Sequence, residues 1–422
     1  MKNLVLLIGT NPLPNYVIGK YFVEKGEVDR LILIYSEETQ TQKGTKEYSE
    51  ALKKLLAVSD YKFVSLRDVG NPKKIMEDLL EQLDENINGS IHFNYTGGTK
   101  TMVAHIYNLL KERYSDNFKG SYLDARTFKI IYDDGKVEPV DGDLRSHIKV
   151  DIEALLKLHL YECEQIQTWK DCEFSGVVEK IKEEVIEKDK IDYFVKWLED
   201  PFRKIFKDGK DITEKKKKFQ EHVKSDHVKS AVQKFEYETP DFIWNILDAF
   251  PEGKRINQGR KLWIPDEGVS NNDFKDRIDH TVEFLDGKWF EWYIYREISE
   301  KLKRKGLEEG KHFGISLKAK KNKDFEIDIF IINGYELTGI SITTGTKESN
   351  CKQKGFEIIH RVRQIGGDES KAILITLMDS KEVENSQGDL SFITGVSEEK
   401  FIVYGKNNLK DIGDKVLGEV FK

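Results

Sequence analysis

The sequence has little of what characterises disulfide-stabilised, zinc-binding or membrane proteins. Its 422 residues include three cysteines, Cys163, Cys172 and Cys351, which are far apart and form no CxxC pair. Scattered cysteines exclude a disulfide framework and a cysteine-based zinc site, and they fit a reducing cytoplasm. The first apolar run, residues 4–8, is too short for a membrane span or a signal peptide. We therefore expect a cytoplasmic protein that does not contact a membrane.

Several catalytic motifs are also absent. The nine histidines show no HxH or HExxH spacing, and no GxSxG occurs, which argues against zinc hydrolases and serine hydrolases. No GxGxxG follows the first strand pattern and no GxxxxGK[ST] occurs, which disfavours an ordinary NAD or ATP site. The net charge is −7, so the chain is not basic overall, although a local basic groove would be enough for nucleic acid.

Residues 1–148 alternate short apolar strand patterns with amphipathic helix patterns. This βαβα order predicts an α/β domain with a mainly parallel sheet and helices on both faces. In such sheets, ligands bind beyond the carboxyl ends of the strands. The predicted strands are residues 3–9, 30–35, 61–65, 90–95, about 121–124 and 128–133.

Polar clusters follow the first four of these strands at the ends where a ligand would bind. Residues 96–100, Thr-Gly-Gly-Thr-Lys, lie between the fourth strand and an amphipathic helix. A glycine turn at a helix N-terminus offers backbone N–H groups to an anion, usually a phosphate. Residues 9–12, 36–39 and 67–68 follow the first three strands and should meet the same edge. The alternative interpretation of the two glycines is a tight loop without a ligand.

Residues 9–12, Gly-Thr-Asn-Pro, and residues 94–100, Asn-Tyr-Thr-Gly-Gly-Thr-Lys, resemble the CRISPR-associated Rossmann fold, or CARF domain, over about residues 1–148. The resemblance implies a sensor for the cyclic oligoadenylate made by type III CRISPR complexes, and a homodimer with the ring across its two-fold axis. Because four adenylates divide evenly between two subunits, we expect cyclic tetra-adenylate ahead of the six-membered ring. The residues that the resemblance implies for the pocket are Thr10, Asn11, Ser36, Thr96, Gly97, Gly98, Thr99 and Lys100.

Residues 149–285 change to helical patterns rich in lysine and glutamate, beginning with one amphipathic helix over 151–162. We interpret this region as a helical connector or a small helical subdomain. The four-lysine run at 215–218 is typical of a solvated helix face, and a nucleic-acid contact is the alternative.

Residues 286–422 return to mixed patterns and predict an α+β domain. A helix with a strongly aromatic face begins near Trp289, and Asn333-Gly334 predicts a type I′ hairpin turn between two strands. The aromatic face is typical of core packing, and stacking on an unpaired base is the alternative.

The order of elements from about 286 to 380 resembles the restriction-endonuclease-like PD-(D/E)xK nuclease fold, which follows CARF domains in one group of type III effectors. The resemblance implies Mg²⁺ or Mn²⁺ held by carboxylates, with a lysine near the attacking water. Glu291 matches the helix carboxylate and Asp328 matches the strand aspartate, so these two are the expected metal ligands.

The sequence departs from this motif on the following strand. Ser341 and Thr343 stand where the Glu-x-Lys pair would be, and neutral hydroxyls replace neither a carboxylate nor a lysine charge well. Two residues of the same stretch could replace them: Glu336, at the start of that strand, and Lys347, just beyond its end. Glu326 and Glu283 are further candidates.

We therefore expect a homodimeric antiviral effector in which ring binding activates a metal-dependent nuclease that cuts single-stranded RNA or DNA. The alternatives are a nuclease fold that only binds or regulates, and another reaction on the same scaffold. Asp328 as an ordinary surface residue and Glu291 as a partner of a lysine remain open. A transcription regulator ranks last, because residues 150–285 show no convincing helix-turn-helix.

Overall fold

The computed structural model describes residues 1–40, 42–83, 87–208 and 212–422. The N-terminal elements are β1 (Lys2–Leu7), α1 (Leu13–Glu24), β2 (Arg30–Ser36), α2 (Lys46–Leu56), β3 (Asp60–Leu66), α3 (Pro72–Gln82), β4 (Ser90–Asn94), α4 (Lys100–Tyr114), β5 (Phe118–Asp124), β6 (Lys129–Tyr132), β7 (Val137–Glu138) and α5 (Leu144–His147).

The first sheet has seven strands in the order β3-β2-β1-β4-β5-β6-β7. The first five in this order are parallel, and β6 and β7 are antiparallel. The parallel strands are rich in leucine, isoleucine and valine because helices cover both faces of the sheet. The predicted parallel α/β architecture is confirmed. The strand order reverses between β1 and β4, which is where such sheets bind ligands.

The middle of the chain is mostly helical, as predicted. Its elements are α6 (Ile152–Leu158), β8 (Glu162–Gln167), α7 (Ser175–Ile181), α8 (Ile191–Trp197), α9 (Arg203–Phe206), α10 (Lys216–Lys224), α11 (Asp226–Tyr237), α12 (Asp241–Asp248), β9 (Asn257–Gln258), β10 (Lys261–Leu262) and α13 (Asn271–Glu283).

One helix is shorter than predicted, because the single helix expected over 151–162 ends at Leu158. Leu160 has φ +63°, which a right-handed helix does not accept, and the chain then forms β8. β8 pairs with the C-terminal sheet as its edge strand. Part of the predicted connector therefore belongs to the second sheet.

The C-terminal elements are α14 (Trp289–Arg304), β11 (Phe313–Lys320), β12 (Asp324–Asn333), β13 (Glu336–Thr343), α15 (Glu348–Gly366), β14 (Lys371–Thr376), α16 (Ser380–Thr394), β15 (Phe401–Tyr404) and α17 (Ile412–Val420). They form a six-stranded mixed sheet in the order β15-β14-β13-β12-β11-β8, in which β13, β14 and β15 are parallel.

The hairpin between β12 and β13 is displaced by one residue from the prediction. Asn333 pairs with Glu336, so Gly334 and Tyr335 form the two-residue loop. Only Gly334 has a positive φ, +65°, which fits a type II′ turn rather than the predicted type I′ turn.

Two sheets share one hydrophobic core. A single cluster of buried side chains joins α1 and α2 of the first sheet to α6 and to the α15 face of the second sheet. At this junction, the rings of Phe128 and Tyr335 meet edge to face with centroids 5.9 Å apart, and the Val150 N–H donates to the Gly334 carbonyl over 2.8 Å. The two sheets therefore pack as one continuous body.

A buried ion pair lies at the same junction. Arg145 Nη1 is 2.8 Å from Glu336 Oε2, and Lys371 Nζ is 3.4 Å from Glu336 Oε1. Glu336, predicted from its place in the sequence as a replacement carboxylate for the metal site, is instead committed to these two cations. Its position at the far end of β13 from Ser341 explains why it cannot serve there.

Removing one partner of this buried pair leaves a charge without full compensation. We expect Arg145→Ala to lower the free energy of unfolding by about 3 kcal/mol, as measured by urea denaturation. Lys157→Ala is the matched control, because its pair with Glu153 is 62% and 66% exposed and is worth less than about 1 kcal/mol. Equal losses for the two variants would contradict a structural role for the Arg145 pair.

Candidate functional site

A cavity of about 530 Å³ opens at the carboxyl ends of β1, β2, β3 and β4. The strand-end segments that the sequence predicted to meet at one edge contribute to it together. The lining residues are Ile8, Gly9, Thr10, Ser36, Gln42, Lys43, Thr45, Asp68, Val69, Gly70, Gly98, Thr99 and Met102.

Four of the eight predicted ligand-binding residues line this cavity: Thr10, Ser36, Gly98 and Thr99. The other four, Asn11, Thr96, Gly97 and Lys100, are not among the lining residues. They flank it in sequence.

The backbone geometry of this turn requires both of its glycines. A Cβ on Gly97 would lie 2.1 Å from the Leu7 carbonyl oxygen, so only glycine fits there. Gly98 has φ +79°, a left-handed conformation that favours glycine. Thr99 then caps α4, its hydroxyl accepting the Met102 N–H at 3.2 Å. The turn therefore brings the N-terminus of α4 against the end of β1.

Thr96 and Asn11 are engaged within the fold. The Thr96 hydroxyl donates to Asn94 Oδ1 over 2.7 Å and accepts the Leu123 N–H at 2.7 Å. Asn11 Oδ1 accepts the Leu13 N–H at 3.2 Å and lies 3.2 Å from His159 Nε2. These bonds fix strand-end loops, and they turn both side chains away from the cavity.

The loop after β2 contributes residues that sequence reasoning missed, because the predicted cluster stopped at Thr39. The Ser36 hydroxyl donates to the Lys43 carbonyl over 2.8 Å, which folds this loop back on the strand end. Gln42 joins two loops: its Nε2 donates to the Glu37 carbonyl, and its Oε1 accepts the Val69 N–H at 2.9 Å. Lys43 adds a cation to the lining.

The lining therefore combines backbone donors, hydroxyls, an amide, a lysine and the Asp68 carboxylate. Backbone N–H groups, hydroxyls and a lysine suit phosphate oxygens, while amide and carboxylate groups suit ribose hydroxyls and base edges. The chemistry of the cavity fits a nucleotide.

A second cluster lies where β12 and β13 separate. Their ladder pairing begins at Ile329 and Ile340, and in place of the next pair Asp328 Oδ2 accepts the Ile342 N–H at 2.7 Å. The Ser341 hydroxyl donates to the same oxygen over 3.1 Å. Ser341 therefore orients Asp328, and these bonds hold Asp328 at the opening between the two strands.

The negative charge of Asp328 acts on Glu291, which lies on α14. Burial raises the pKa of Glu291 to about 7, and the nearby Asp328 charge contributes to the increase. Burial also raises the pKa of Asp328 above its ordinary value, although the Ile342 N–H and the Ser341 hydroxyl oppose this shift. Two partly buried carboxylates that repel each other form a site that a cation would stabilise.

Lysines near this cluster were missed or misplaced by sequence reasoning. The charges of Lys354 on α15 and of Lys288 lower the pKa of Glu291, and Lys354 also lowers that of Asp328. The charge of Lys354 therefore acts on both carboxylates, although this residue is 11 residues beyond Thr343 in the chain. No motif spacing could have indicated a lysine from a neighbouring helix.

The remaining predicted positions have other surroundings. The Thr343 hydroxyl accepts the Gly345 N–H at 3.1 Å, and Lys347 is exposed, directly before α15. Glu326 is exposed on β12 and contributes to raising the pKa of Glu291 and Asp328. The aromatic face of α14 is core, as predicted: Trp289, Tyr293 and Tyr295 are fully buried.

The helix that carries Glu291 is irregular just before it. A π-helical turn, Phe284–Lys288, joins α13 to α14. Such turns insert one residue and re-aim the following side chains, and they are frequent at functional sites. Here the turn ends at Lys288, directly before the helix turn that presents Glu291.

The carboxylates of this cluster could hold a magnesium or manganese ion only with few protein ligands. Among the residues that the structure describes, no group of three or more His, Cys, Asp and Glu side chains could hold a metal. Mg²⁺, however, is often bound by one or two carboxylates with water completing its shell. Asp328 and Glu291 are the two carboxylates that could hold such an ion, and a cation would offset the effect of the Asp328 charge on Glu291.

Within the described ranges, the helices include none with the length and apolar character needed to cross a membrane.

The chain resembles known proteins at two levels. Residues 3–140 match the family model of the Card1 CARF domain. The fold is similar to that of Can2 from Sulfobacillus thermosulfidooxidans in complex with cyclic tetra-adenylate, with a TM-score of 0.60. The match covers 99% of this chain and 99% of that chain at 15% identity. Protein VC1899 from Vibrio cholerae matches 99% of the chain at a TM-score of 0.59 and 12% identity, with 97% of that chain covered. No curated protein matched the chain.

The match over residues 3–140 supports the CARF resemblance that the sequence motifs predicted, and the two solved structures share the fold of the whole chain. At 15% identity and below, those structures establish fold alone.

The raised pKa of Glu291 gives a pH prediction for stability. Its folded pKa, about 7, lies above the ordinary value of 4.5, so the folded state binds an extra proton between these values. Stability therefore falls as pH rises from about 4.5 to 7. We expect Glu291→Gln to match the wild type near pH 4.5 and to exceed it by about 2 kcal/mol at pH 8.

Urea denaturation at both pH values measures this difference without a metal. Glu267→Gln, at an exposed loop carboxylate, is the control and should follow the wild-type profile. Parallel profiles for Glu291→Gln and the wild type would contradict the burial of an ionisable Glu291.

Proposed function

We propose that the N-terminal domain binds a cyclic oligoadenylate, with cyclic tetra-adenylate as the first choice. The observation that carries this proposal is the cavity at the ends of four parallel strands, with the Gly98-Thr99 turn at the start of α4 in its lining. The match to the Card1 CARF domain model and the fold shared with a Can2 complex of cyclic tetra-adenylate support it.

The cavity chemistry supports a nucleotide whose phosphates face the α4 end. The partial positive charge at a helix N-terminus attracts anions, and Lys43 adds a full charge across the cavity. Gln42 and Asp68 provide hydrogen-bonding groups that can read sugar or base edges.

The proposal includes a homodimer. In each chain the cavity faces solvent along one edge of the first sheet. A two-fold axis between two chains would place both cavities around one ring, so that the same donors would contact the ring from both sides. Two chains would then share one ring, each holding two of its four nucleotides.

Isothermal titration calorimetry tests this proposal. We expect cyclic tetra-adenylate to bind with one ring per two chains, and ATP to compete poorly with it. Lys43→Ala should weaken binding at least tenfold, because a charged hydrogen bond to phosphate is worth about 1.5–3 kcal/mol. Lys54→Ala, at an exposed lysine of α2, is the control. Absence of binding, or equal affinity for both variants, would contradict the assigned cavity.

We propose further that the C-terminal domain is a metal-dependent nuclease acting on single-stranded RNA or DNA. Asp328 and Glu291 would hold Mg²⁺ or Mn²⁺, which stabilises charge on a phosphodiester and lowers the pKa of bound water. Ser341 would keep Asp328 oriented, as its hydrogen bond already does. The observation that supports this role is the pair of electrostatically coupled carboxylates at the opening between β12 and β13.

A second candidate is a ring-responsive binding protein whose nuclease fold has lost its activity. The observation that favours it is that Ser341 and Thr343 supply neither a carboxylate nor a lysine on β13. Its partner would be a nucleic acid or another protein. This candidate requires the same ligand cavity in the N-terminal domain as the nuclease does.

Cleavage assays separate the two candidates. Labelled single-stranded RNA and DNA are incubated with Mg²⁺ or Mn²⁺, with and without cyclic tetra-adenylate. We expect ring-dependent cleavage that Asp328→Asn lowers at least 100-fold, because the variant keeps hydrogen-bond acceptors but loses the metal-binding charge. Asp324→Asn, four residues earlier and exposed, should retain activity. Tight ring binding without cleavage in either metal would favour the binding protein.

A further inference from the structure

Helix α15 (Glu348–Gly366) reaches both candidate sites. Its nineteen residues span about 28 Å at the normal rise of an α-helix. Its first turns follow β13 and Thr343, and its C-terminal end meets the loop that follows β1. One helix therefore runs from the end of β13, the strand of Ser341 and Thr343, to the loop that carries Thr10.

The C-terminal end of α15 contacts Asn11, which directly follows the cavity residue Thr10. A Cβ on Gly367, the C-cap of α15, would lie 2.2 Å from Asn11 Nδ2, so the amide packs directly against this backbone. The loop that contributes Thr10 to the cavity therefore touches the second domain through its next residue.

Asn11 also contacts a histidine that cannot satisfy both of its neighbours. His159 Nδ1 lies 3.0 Å from the Leu155 carbonyl, and Nε2 lies 3.2 Å from Asn11 Oδ1. Asn11 Oδ1 is oriented as an acceptor by the Leu13 N–H. Burial lowers the pKa of His159 to about 4, so the ring is neutral at pH 7 and has one N–H for two acceptors. The neutral ring can therefore donate to only one of these two acceptors, so its contact with Asn11 or its contact with Leu155 lacks a proton.

The N-terminal half of α15 carries a lysine whose charge acts on the carboxylate cluster. Lys354, Glu357 and Arg361 form one stripe along the helix at i, i+3 and i+7. Arg361 Nη1 donates to the Asp324 carbonyl over 3.0 Å, which places this stripe over the start of β12. Two turns earlier on α15 lies Lys354, whose charge lowers the pKa of both Asp328 and Glu291.

Packing makes α15 move as a unit. Its buried side chains include Ile358 and Val362, and a Cβ on Gly339 of β13 would lie within 3.1 Å of the first and 2.3 Å of the second. Such close contact leaves little room for local bending. A shift at Gly367 would therefore reach Lys354.

We propose that α15 couples the two sites: ring binding at Thr10 changes the Asn11 contact with His159 and Gly367, and α15 carries the change to Lys354 beside Asp328 and Glu291. This inference rests on the proposed function, since it assigns the regulation of that effector site. Asn11 and Lys354 act as positioning residues at the two ends of the helix.

Hydrogen–deuterium exchange of the full-length protein, with and without cyclic tetra-adenylate, tests this coupling without a metal or a substrate. In the wild type, ring binding should change the exchange rates of α15 amides at least fivefold, the low end of typical coupling between sites. In Asn11→Ala, ring binding measured by calorimetry should persist while the α15 change falls below twofold. His159→Phe, which keeps the ring volume but removes both nitrogens, should behave like Asn11→Ala.

Asn322→Ala, an exposed asparagine in the turn between β11 and β12, is the matched control and should keep the wild-type response. Ring binding without an α15 response in the wild type, or an undiminished response in Asn11→Ala, would overturn the coupling and leave the proposed function intact. A wild type that binds no ring would overturn the proposed function, and the coupling with it.

Discussion

The continuous apolar core between the two sheets is the constraint on which the rest of the structure depends. A flexible linker would let each domain move independently, but here the helices of the first sheet and the α15 face of the second bury the same cluster of side chains. The Arg145–Glu336 pair and the Val150 bond to Gly334 fix the relative orientation at one edge. Both candidate sites are thus held at fixed positions on one body, and communication between them has to pass through packed elements rather than through domain rotation within a chain.

The carboxylate cluster shows how a departure from a motif can be compensated in space. The strand that would carry a carboxylate and a lysine carries Ser341 and Thr343, and the serine is used to hold Asp328 in place. Positive charge comes instead from Lys354 on a neighbouring helix and from Lys288, the last residue of a π-helical turn. In the proposed nuclease, these two lysines would supply the positive charge that the missing motif lysine usually provides. This combination makes an active nuclease the stronger of the two proposals for this domain.

Much of the fold could be predicted because its signals are local. Apolar runs separated by amphipathic helices specify a parallel sheet, and the positions of the strand ends follow from it. The glycine pair at 97–98 was also readable, since a tight approach to a strand end needs glycine. The exact set of residues that line the cavity could not be predicted. Gln42 and Lys43 belong to a loop that folds back over the strand ends only after Ser36 bonds the Lys43 carbonyl. Long-range partnerships such as Glu336 with Arg145, 191 residues apart, leave no trace in local patterns. The same holds for β8, whose polar sequence resembles a helix and whose partner strand lies far along the chain.

Asn11 illustrates the limit of assigning a residue by its neighbours in sequence. It follows Thr10 in a ligand-binding loop, yet its amide points to His159 and Gly367 rather than into the cavity. A ligand can shift a conformational equilibrium only by the difference between its affinities for the two states. A loop whose hydrogen bonds are fully satisfied in one arrangement would resist such a shift. The neutral His159 has one proton for two acceptors, and in the proposed coupling its contact with Asn11 is the one that ring binding changes.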